Sequence, residues 1–403
     1  MVISKKKKRY LNRGNSASGL VYLKCFRMIL HVLYKKVVCI IWLLLLIVLQ
    51  SQQSTAQILK NETSLKLMKE CVDCIYNLQF TKADEIYNKI KYVYPDHPAV
   101  LLLDGIIIYY KNFPLLPSST SCASFEKDLR DCIAKCDIKK PEDEAEYLLT
   151  NLCARGMLLL FYSDNGLHKE VMPLATNTYK YLRRSFDYAD TYPDFNYFTG
   201  LYNYYREAYP EAHPIYRTFA FIFPRGNKAK GLKELETAST SSIFLKAESA
   251  LFLTYIYQTF EDNPSQATHF SGSLHELYPD NLEYLIYFIY NLLLEQRYED
   301  AENMIKKASV KESNQYFKAG LEIFEGIVQE KKYQNLSVAQ NYYLEGIKDV
   351  EPYGEFGNDF ASYGYYGLSR LCKARGDDKG MRNYRKKAND LTDFKKDHFA
   401  DKE

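Results

Sequence analysis

The sequence of 403 residues predicts an all-α fold, a solenoid of about eight antiparallel helix hairpins. Three observations lead to this prediction. No stretch alternates apolar and polar residues over a sustained length between turn residues, so no strand is required. A small residue followed four positions later by tyrosine recurs along the chain, which indicates an internal repeat. Tyr-Pro-Asp occurs at 94–96, 192–194 and 278–280, each time before an apolar stretch.

Apolar periodicity divides residues 60–392 into helix pairs. In chain order the predicted pairs are 62–78/81–94, 97–111/123–137, 142–162/167–191, 195–209/226–238, 243–259/263–277, 281–295/298–308, 313–331/335–349 and 358–375/378–391. Tyr-Pro-Asp is interpreted as a joint between hairpins, because proline cannot continue the helix before it. The aspartate that follows (Asp96, Asp194 or Asp280) is expected to cap the next helix through its side-chain oxygen.

Two segments interrupt the repeat. Residues 112–121 contain two prolines and four serines or threonines, which is a loop composition. Residues 209–227 contain three prolines among several aromatic residues. Loops normally face water, so an apolar loop is expected either to pack against the solenoid or to be presented to a partner.

The repeated pattern resembles the second helix of the tetratricopeptide repeat. In that family a small residue lets two helices approach, a large residue one turn later fills the groove between them, and proline ends the unit. The positions that match this packing role are Ala83, Tyr87, Pro95, Ala267, Pro279, Tyr298, Ala301, Ala308, Ala339 and Tyr343. The resemblance implies one right-handed superhelix of hairpins.

The first 56 residues have the composition of an export segment. Residues 37–49 are thirteen uninterrupted apolar residues, preceded by two lysines and followed by small residues, which predicts a signal peptide cleaved after Ala56. The basic stretch before Met28 fits no part of a signal, so Met28 is the expected start. The predicted organisation is an extension with a signal over 1–56 and one helical-repeat domain over 57–403. An uncleaved membrane anchor is the alternative, although thirteen residues are short for a span.

Charge argues against a nucleic-acid partner. Residues 1–56 hold ten of the 53 lysines and arginines and none of the 50 acidic residues. The remainder therefore has 43 basic against 50 acidic residues and lacks the basic excess expected of a nucleic-acid-binding domain.

No motif with chemical function stands out. The pairs Cys71/Cys74 and Cys132/Cys136 lie within predicted helices, where burial or one disulfide is expected in preference to a zinc site. If a disulfide forms, the first candidate is a bond from Cys122, expected in the loop, to Cys132 or Cys136. Nucleophile-elbow, phosphate-loop and His-Glu-x2-His patterns are missing from the sequence. The sequence therefore predicts no catalytic residue, no metal and no cofactor.

The remaining candidate for function is a binding surface. First helices line the concave wall of a stacked-hairpin solenoid, and such walls bind peptides or partner proteins. The candidate partner-binding residues are Tyr197, Tyr202, Tyr205, Tyr284, Tyr287 and Tyr290. The expected function is a non-catalytic scaffold for a protein or peptide of the cell envelope.

Two alternatives to this scaffold stay open: an aromatic-lined glycan-binding solenoid, and a membrane-anchored assembly factor that keeps its N-terminal helix. The Ser-Thr-Ala-Gln region at 54–57 resembles the export signals of Bacteroidetes-like bacteria, which implies a periplasmic or envelope location.

Overall fold

A computed structural model describes residues 58–137, 144–214, 217, 223–311 and 314–400. These residues belong to one compact unit, Ile58–Glu403. In the described part of the chain every regular element is a helix, and no strand is present. The proposed signal and the boundary at residue 57 lie outside the described residues.

Within the described ranges, sixteen α-helices form eight consecutive hairpins. The hairpins are α1 Glu62–Tyr76 with α2 Phe80–Val93, α3 Pro98–Lys111 with α4 Cys122–Cys136, α5 Glu144–Asp164 with α6 His168–Ser185, α7 Phe195–Ala212 with α8 Lys228–Ser241, α9 Lys246–Thr259 with α10 Pro264–Leu277, α11 Leu282–Leu294 with α12 Tyr298–Lys311, α13 Gln315–Lys331 with α14 Leu336–Val350, and α15 Asn358–Ala374 with α16 Asp378–Leu391. A short 3₁₀ helix, Glu351–Gly357, precedes α15.

The predicted fold class is confirmed, and most predicted helix bounds lie within three residues of the observed ones. The largest difference is in α6, which was expected to extend to residue 191 and ends at Ser185. Residues 186–191 form turns instead, stabilised in part by the N–H of Tyr188 donating to the carbonyl of Ser185.

Asparagine, and not the aspartate of Tyr-Pro-Asp, is the recurring helix cap. Six of the eight described capping side chains that accept a hydrogen bond from the first turn are asparagines: Asn61, Asn227, Asn263, Asn281, Asn314 and Asn335. The other two are His97 and Asp377. The expected caps Asp96 and Asp280 are each one residue too early, since His97 and Asn281 occupy the cap positions. That part of the sequence interpretation is wrong.

Asp194 occupies a cap position without capping its own helix. Its buried carboxylate accepts the backbone N–H groups of Ile243, Phe244 and Leu245 at 3.0, 2.8 and 2.9 Å. These three residues lead into α9. Asp194 therefore joins the start of the fourth hairpin to the start of the fifth.

In six hairpins a residue with left-handed backbone follows the first helix by two or three positions. These residues are Leu78, Gly166, Asp262, Gln296, Gln334 and Gly376, with φ between 49° and 73°. Among the described residues, no such position occurs in the two hairpins that contain the segments 112–121 and 209–227. Left-handed backbone lets the chain reverse after a helix, and glycine is the usual residue there. Four of the six positions carry a side chain, so the sequence conceals this turn.

The packing pattern identifies the concave side. Every helix contacts the next helix in the chain. In addition α1 contacts α3, α3 contacts α5, α9 contacts α11, α11 contacts α13, and α13 contacts α15, whereas the even-numbered helices show no comparable contacts among themselves. Helices on the inside of a curved stack lie closer together than those outside. The odd-numbered helices are therefore the inner layer of the solenoid.

The solenoid curves tightly enough for distant hairpins to meet. Asn281 donates to the carbonyl of Tyr76 at 2.7 Å, and the hydroxyl of Tyr278 donates to Asp73 at 3.0 Å. After α3, the ring of Phe113 stacks on that of Phe317 with centroids 5.5 Å apart. These contacts join residues about two hundred positions apart and enclose the space between the inner helices.

Candidate functional site

Half-buried tyrosines line the interior of the solenoid. We call Tyr110, Tyr197, Tyr205, Tyr255, Tyr287 and Tyr363 the inner tyrosine face. They lie on α3, α7, α9, α11 and α15, which are all inner helices. Each ring keeps part of its surface accessible although protein surrounds it. The inner layer thus brings residues from hairpins distant in sequence onto one concave surface.

Several of these tyrosines are close enough to raise one another's pKa. Burial, then Glu283 and Asp359, raises the pKa of Tyr287 well above its usual value. Burial and Tyr287, among other groups, raise the pKa of Tyr363 in the same way. Toward the other end, burial with contributions from Tyr255 and Tyr197 raises the pKa of Tyr205. All of these phenols are neutral hydrogen-bonding groups at physiological pH.

Three of the six candidate tyrosines belong to this face. Tyr197, Tyr205 and Tyr287 are half-buried members of it. The Tyr197 ring lies edge-on to Phe252 at 5.7 Å, and the Tyr205 ring lies edge-on to Phe260 at 5.4 Å, so α9 supports both rings. The Tyr205 hydroxyl is buried and has no hydrogen-bond partner among the described residues.

The other three candidates have different environments. Tyr284 and Tyr290 are 1% and 2% exposed and lie in the core, where Tyr290 stacks on Tyr363 at 4.6 Å. Tyr202 faces away from the interior, since its hydroxyl donates to the carbonyl of Pro224 at 2.7 Å and its ring meets Phe186 at 5.7 Å. A direct role of these three in binding a partner stays a prediction.

Most residues expected to pack the repeat are buried. The buried ones are Ala83, Tyr87, Ala267, Ala301, Ala308, Ala339 and Tyr343. Tyr343 is fully buried, and a Cβ at Gly367 would lie 2.4 Å from its ring. Tyr298 begins α12, and Pro95 and Pro279 follow the residues that cap the ends of α2 and α10.

Close backbone contact sets the position of α7, which carries two members of the face. Gly200 on α7 meets Gly231 on α8: a Cβ at Gly231 would lie 2.8 Å from the carbonyl oxygen of Gly200 and 2.6 Å from the nitrogen of Tyr204. Both neighbours are backbone atoms that cannot move aside. Glycine at these two positions therefore allows the fourth hairpin to close.

Four carboxylates lie beside the inner tyrosine face. We call Glu248, Glu283, Asp164 and Asp359 the acid row; they lie on α9, α11, α5 and α15. Burial, then Asp359, raises the pKa of Asp164 to about 7. Burial, then Asp164, raises the pKa of Glu283 to about 8. Each acid thus experiences the negative charge of the next.

The two ends of the row follow the same pattern. Burial raises the pKa of Glu248 to about 8. A hydrogen bond from the backbone of Glu248 itself lowers this pKa, and the charge of Glu283 raises it. Burial and then Asp393 raise the pKa of Asp359. Yet Asp359 is solvent-exposed, and the other three acids are half-buried. All four acids lie on odd-numbered helices, which form the inner layer of the solenoid, and each keeps part of its surface accessible, so we place the acid row on the concave side.

The seven described cysteines are mostly buried in the helical core. All seven described cysteines are free thiols, and burial raises the pKa of Cys71 to about 12. Cys122 begins α4 and does not lie in the preceding loop. It is therefore about 15 Å along one helix from Cys132, and the expected disulfide with Cys132 or Cys136 is wrong. Within the described residues no group of three His, Cys, Asp or Glu side chains could hold a metal ion.

Sequence reasoning missed the acid row and half of the inner tyrosine face. Tyr110, Tyr255 and Tyr363 belong to first helices, which the repeat already identified as the concave wall. A search of every first helix for tyrosine would have found them. The four acids give no such signal, because they come from four hairpins and only the closure of the solenoid brings them together.

The fold and the recess define a class of protein, a helical-hairpin solenoid with a tyrosine-lined and acidic interior. No protein-family model matches the sequence, and no curated protein matches it. Across the described ranges, no helix has the length and apolar character needed to cross a membrane.

Proposed function

We propose that this chain is a tetratricopeptide-type scaffold that binds a segment of a partner protein in its interior without catalysis. The observation that carries the proposal is the inner tyrosine face, which collects half-buried tyrosines from five inner helices onto one accessible concave surface. Tyrosine provides a large rigid contact area and a hydroxyl with little loss of rotamer entropy, and it is enriched at binding hot spots. A recess enclosed by hairpins favours an extended segment over a flat protein surface.

Site-specific photo-cross-linking tests this proposal. A photoreactive phenylalanine analogue placed at Tyr205 or Tyr287 of the full chain is expected to cross-link a defined protein segment in cells that naturally contain the protein. The matched control position is Tyr92, which is 89% exposed on the second helix α2. Because Tyr92 lies outside the inner layer, we expect no specific product there. Mass spectrometry of the products identifies the bound segment.

The outcomes separate the scaffold from its alternatives. Equal labelling at Tyr92 and at the interior positions would show non-specific collisions and contradict the proposal. Absence of a protein adduct at both interior positions, together with saturable oligosaccharide binding by the full chain, would replace the scaffold with a glycan-binding solenoid.

We further propose that the protein acts after export, in the periplasm or cell envelope. The support is the apolar run at 37–49 with its basic and small-residue flanks. N-terminal sequencing of the protein isolated from its natural cells is expected to begin at Gln57. A chain that still begins upstream of residue 37 and sediments with membranes would instead favour the anchored assembly factor.

A further inference from the structure

We propose that the segment bound in the interior is cationic, with lysine or arginine side chains placed along the acid row. This inference rests on the proposed function and adds the chemistry of the partner. It follows from the charge of the recess, from its unpaired polar atoms and from the aromatic surface beside it.

The acid row has no resident counter-charge. Among the described residues, no lysine or arginine lowers the pKa of Asp164, Glu283, Glu248 or Asp359. None of these four side chains forms an ion pair or a hydrogen bond with another described side chain. Charges removed from water are costly unless they are paired, so four carboxylates without a described cation are an unfavourable arrangement.

Two buried carboxylates elsewhere among the described residues, Glu302 and Glu330, are paired with cations. Hydrogen bonds from Lys306 and Lys332 lower the pKa of Glu302 to about 2. Arg370 binds both oxygens of Glu330 at 2.8 Å. The fold therefore supplies cations to Glu302 and Glu330, and none of its described cations pairs with the acid row. Uncompensated acids gathered in a recess are typical of a binding site whose ligand brings the opposite charge.

Unpartnered buried polar atoms adjoin the row. Oε2 of Glu248 is buried without a hydrogen-bond partner among the described groups. The hydroxyl of Tyr290 is also buried, on a side chain only 2% exposed, and no described atom meets hydrogen-bond geometry with it. Burial raises the pKa of Tyr290, a polar interaction with the Tyr363 side chain lowers it, and Asp359 raises it further, so this hydroxyl lies between the inner tyrosine face and the acid row. Both atoms can accept a hydrogen bond from an ammonium or guanidinium group.

The separation of the four carboxylates favours a chain with several cations over a single metal ion. The four acids come from four helices, and across the part of the chain that the structure describes they do not converge into a group able to hold a metal ion. A series of separate carboxylates matches cations spaced along a chain. Asp359 contributes to the raised pKa of both Tyr255 and Tyr363, so these rings lie near the row. Aromatic rings beside the carboxylates add cation–π attraction for a bound lysine or arginine. A lysine- or arginine-containing segment meets these requirements.

Binding of a labelled hexalysine peptide to the full chain tests the inference by fluorescence anisotropy. We expect saturable binding of hexalysine, and none of hexaglutamate, at about 150 mM salt, where exposed charges more than about 8 Å apart are largely screened. The double variant Glu283→Gln/Asp359→Asn is expected to bind roughly tenfold or more weakly. The matched control is Glu299→Gln, which removes one exposed acid from the second helix α12 and should change affinity less than about twofold.

The possible results are distinguishable. Equal loss in Glu299→Gln and in the double variant would attribute binding to overall charge and overturn the inference. The inference is also overturned if hexalysine does not bind and the segment cross-linked at Tyr205 and Tyr287 contains no lysine or arginine. In that case the proposed scaffold function is still supported. If no segment is cross-linked and no hexalysine binds, both proposals fail. Circular dichroism of each variant confirms that the comparison is made between folded proteins.

Discussion

Replacing Arg370 with leucine is expected to lower the free energy of unfolding by about 3–5 kcal/mol, the range for breaking a buried ion pair from one side. Arg370 donates to both oxygens of Glu330 at 2.8 Å and to Asp397 at 2.6 Å. The Tyr343 hydroxyl donates to the same Glu330 carboxylate at 2.6 Å. The substitution leaves the Asp397 carboxylate without this cation and leaves Glu330 with only Lys331, whose ammonium lies 3.5 Å from Oε1. Urea unfolding of the full chain, followed by circular dichroism, measures the loss.

The control for Arg370→Leu is Arg382→Leu, which removes an exposed arginine from α16 and should change stability by less than about 0.5 kcal/mol. Burial alone would raise the pKa of Glu330, but Arg370 and hydrogen bonds lower it. A lowered pKa stabilises the fold above the unfolded value near 4.5 and loses that contribution as the pH falls. The difference between wild type and Arg370→Leu should therefore shrink in acid. A loss equal to that of Arg382→Leu would contradict the assigned role.

Local patterns were sufficient to predict the hairpins. Each helix buries an apolar stripe against its neighbours, so the period of apolar residues gives its length, and the bounds expected for α16 (378–391) match those observed. The alanine and tyrosine of the repeat are visible for the same reason. Ala339 and Tyr343 each fill a place between adjacent helices, where size alone determines the residue.

The turns were harder to predict, because several residue types can satisfy them. The left-handed positions Leu78 and Gln296 carry side chains, and no sequence rule marks them. Caps were assigned to aspartate where asparagine one residue later provides the oxygen, as at Asn281. The sequence identifies a joint through its proline but leaves open which neighbouring polar residue caps the helix.

The interior could not be predicted from local patterns. It depends on curvature, which is the accumulated effect of small angles between hairpins and brings α1 to the junction of α10 and α11. Tyrosine at helical spacing is compatible with both core and groove, and Tyr284 and Tyr287 on the same helix differ in this respect. Only the assembled solenoid separates the buried ring from the accessible one.

Neutralising two members of the acid row is expected to stabilise the protein at high pH. The pKa of Asp164 is raised from 3.8 to about 7 and that of Glu283 from 4.5 to about 8. An acid whose pKa is raised by folding is destabilising when ionised. The penalty is absent below the unfolded pKa, grows as the pH rises, and is complete above the folded pKa. One pKa unit corresponds to about 1.4 kcal/mol, and both side chains are only half-buried. We therefore expect Asp164→Asn/Glu283→Gln to gain roughly 2–4 kcal/mol.

The pH dependence distinguishes this gain from a general effect of the substitutions. Urea unfolding of the full chain should show the double variant more stable than wild type near pH 8.5. The gain should nearly vanish at about pH 3, below the unfolded values of 3.8 and 4.5, because both acids are then mostly protonated in the folded and unfolded states. Glu299→Gln, the exposed control, should show no such difference. A gain that is the same at both pH values would contradict the assignment. If the acids exist to bind a cation, the stabilised variant should also lose hexalysine binding, and saturating hexalysine should remove the pH-dependent penalty from the wild type.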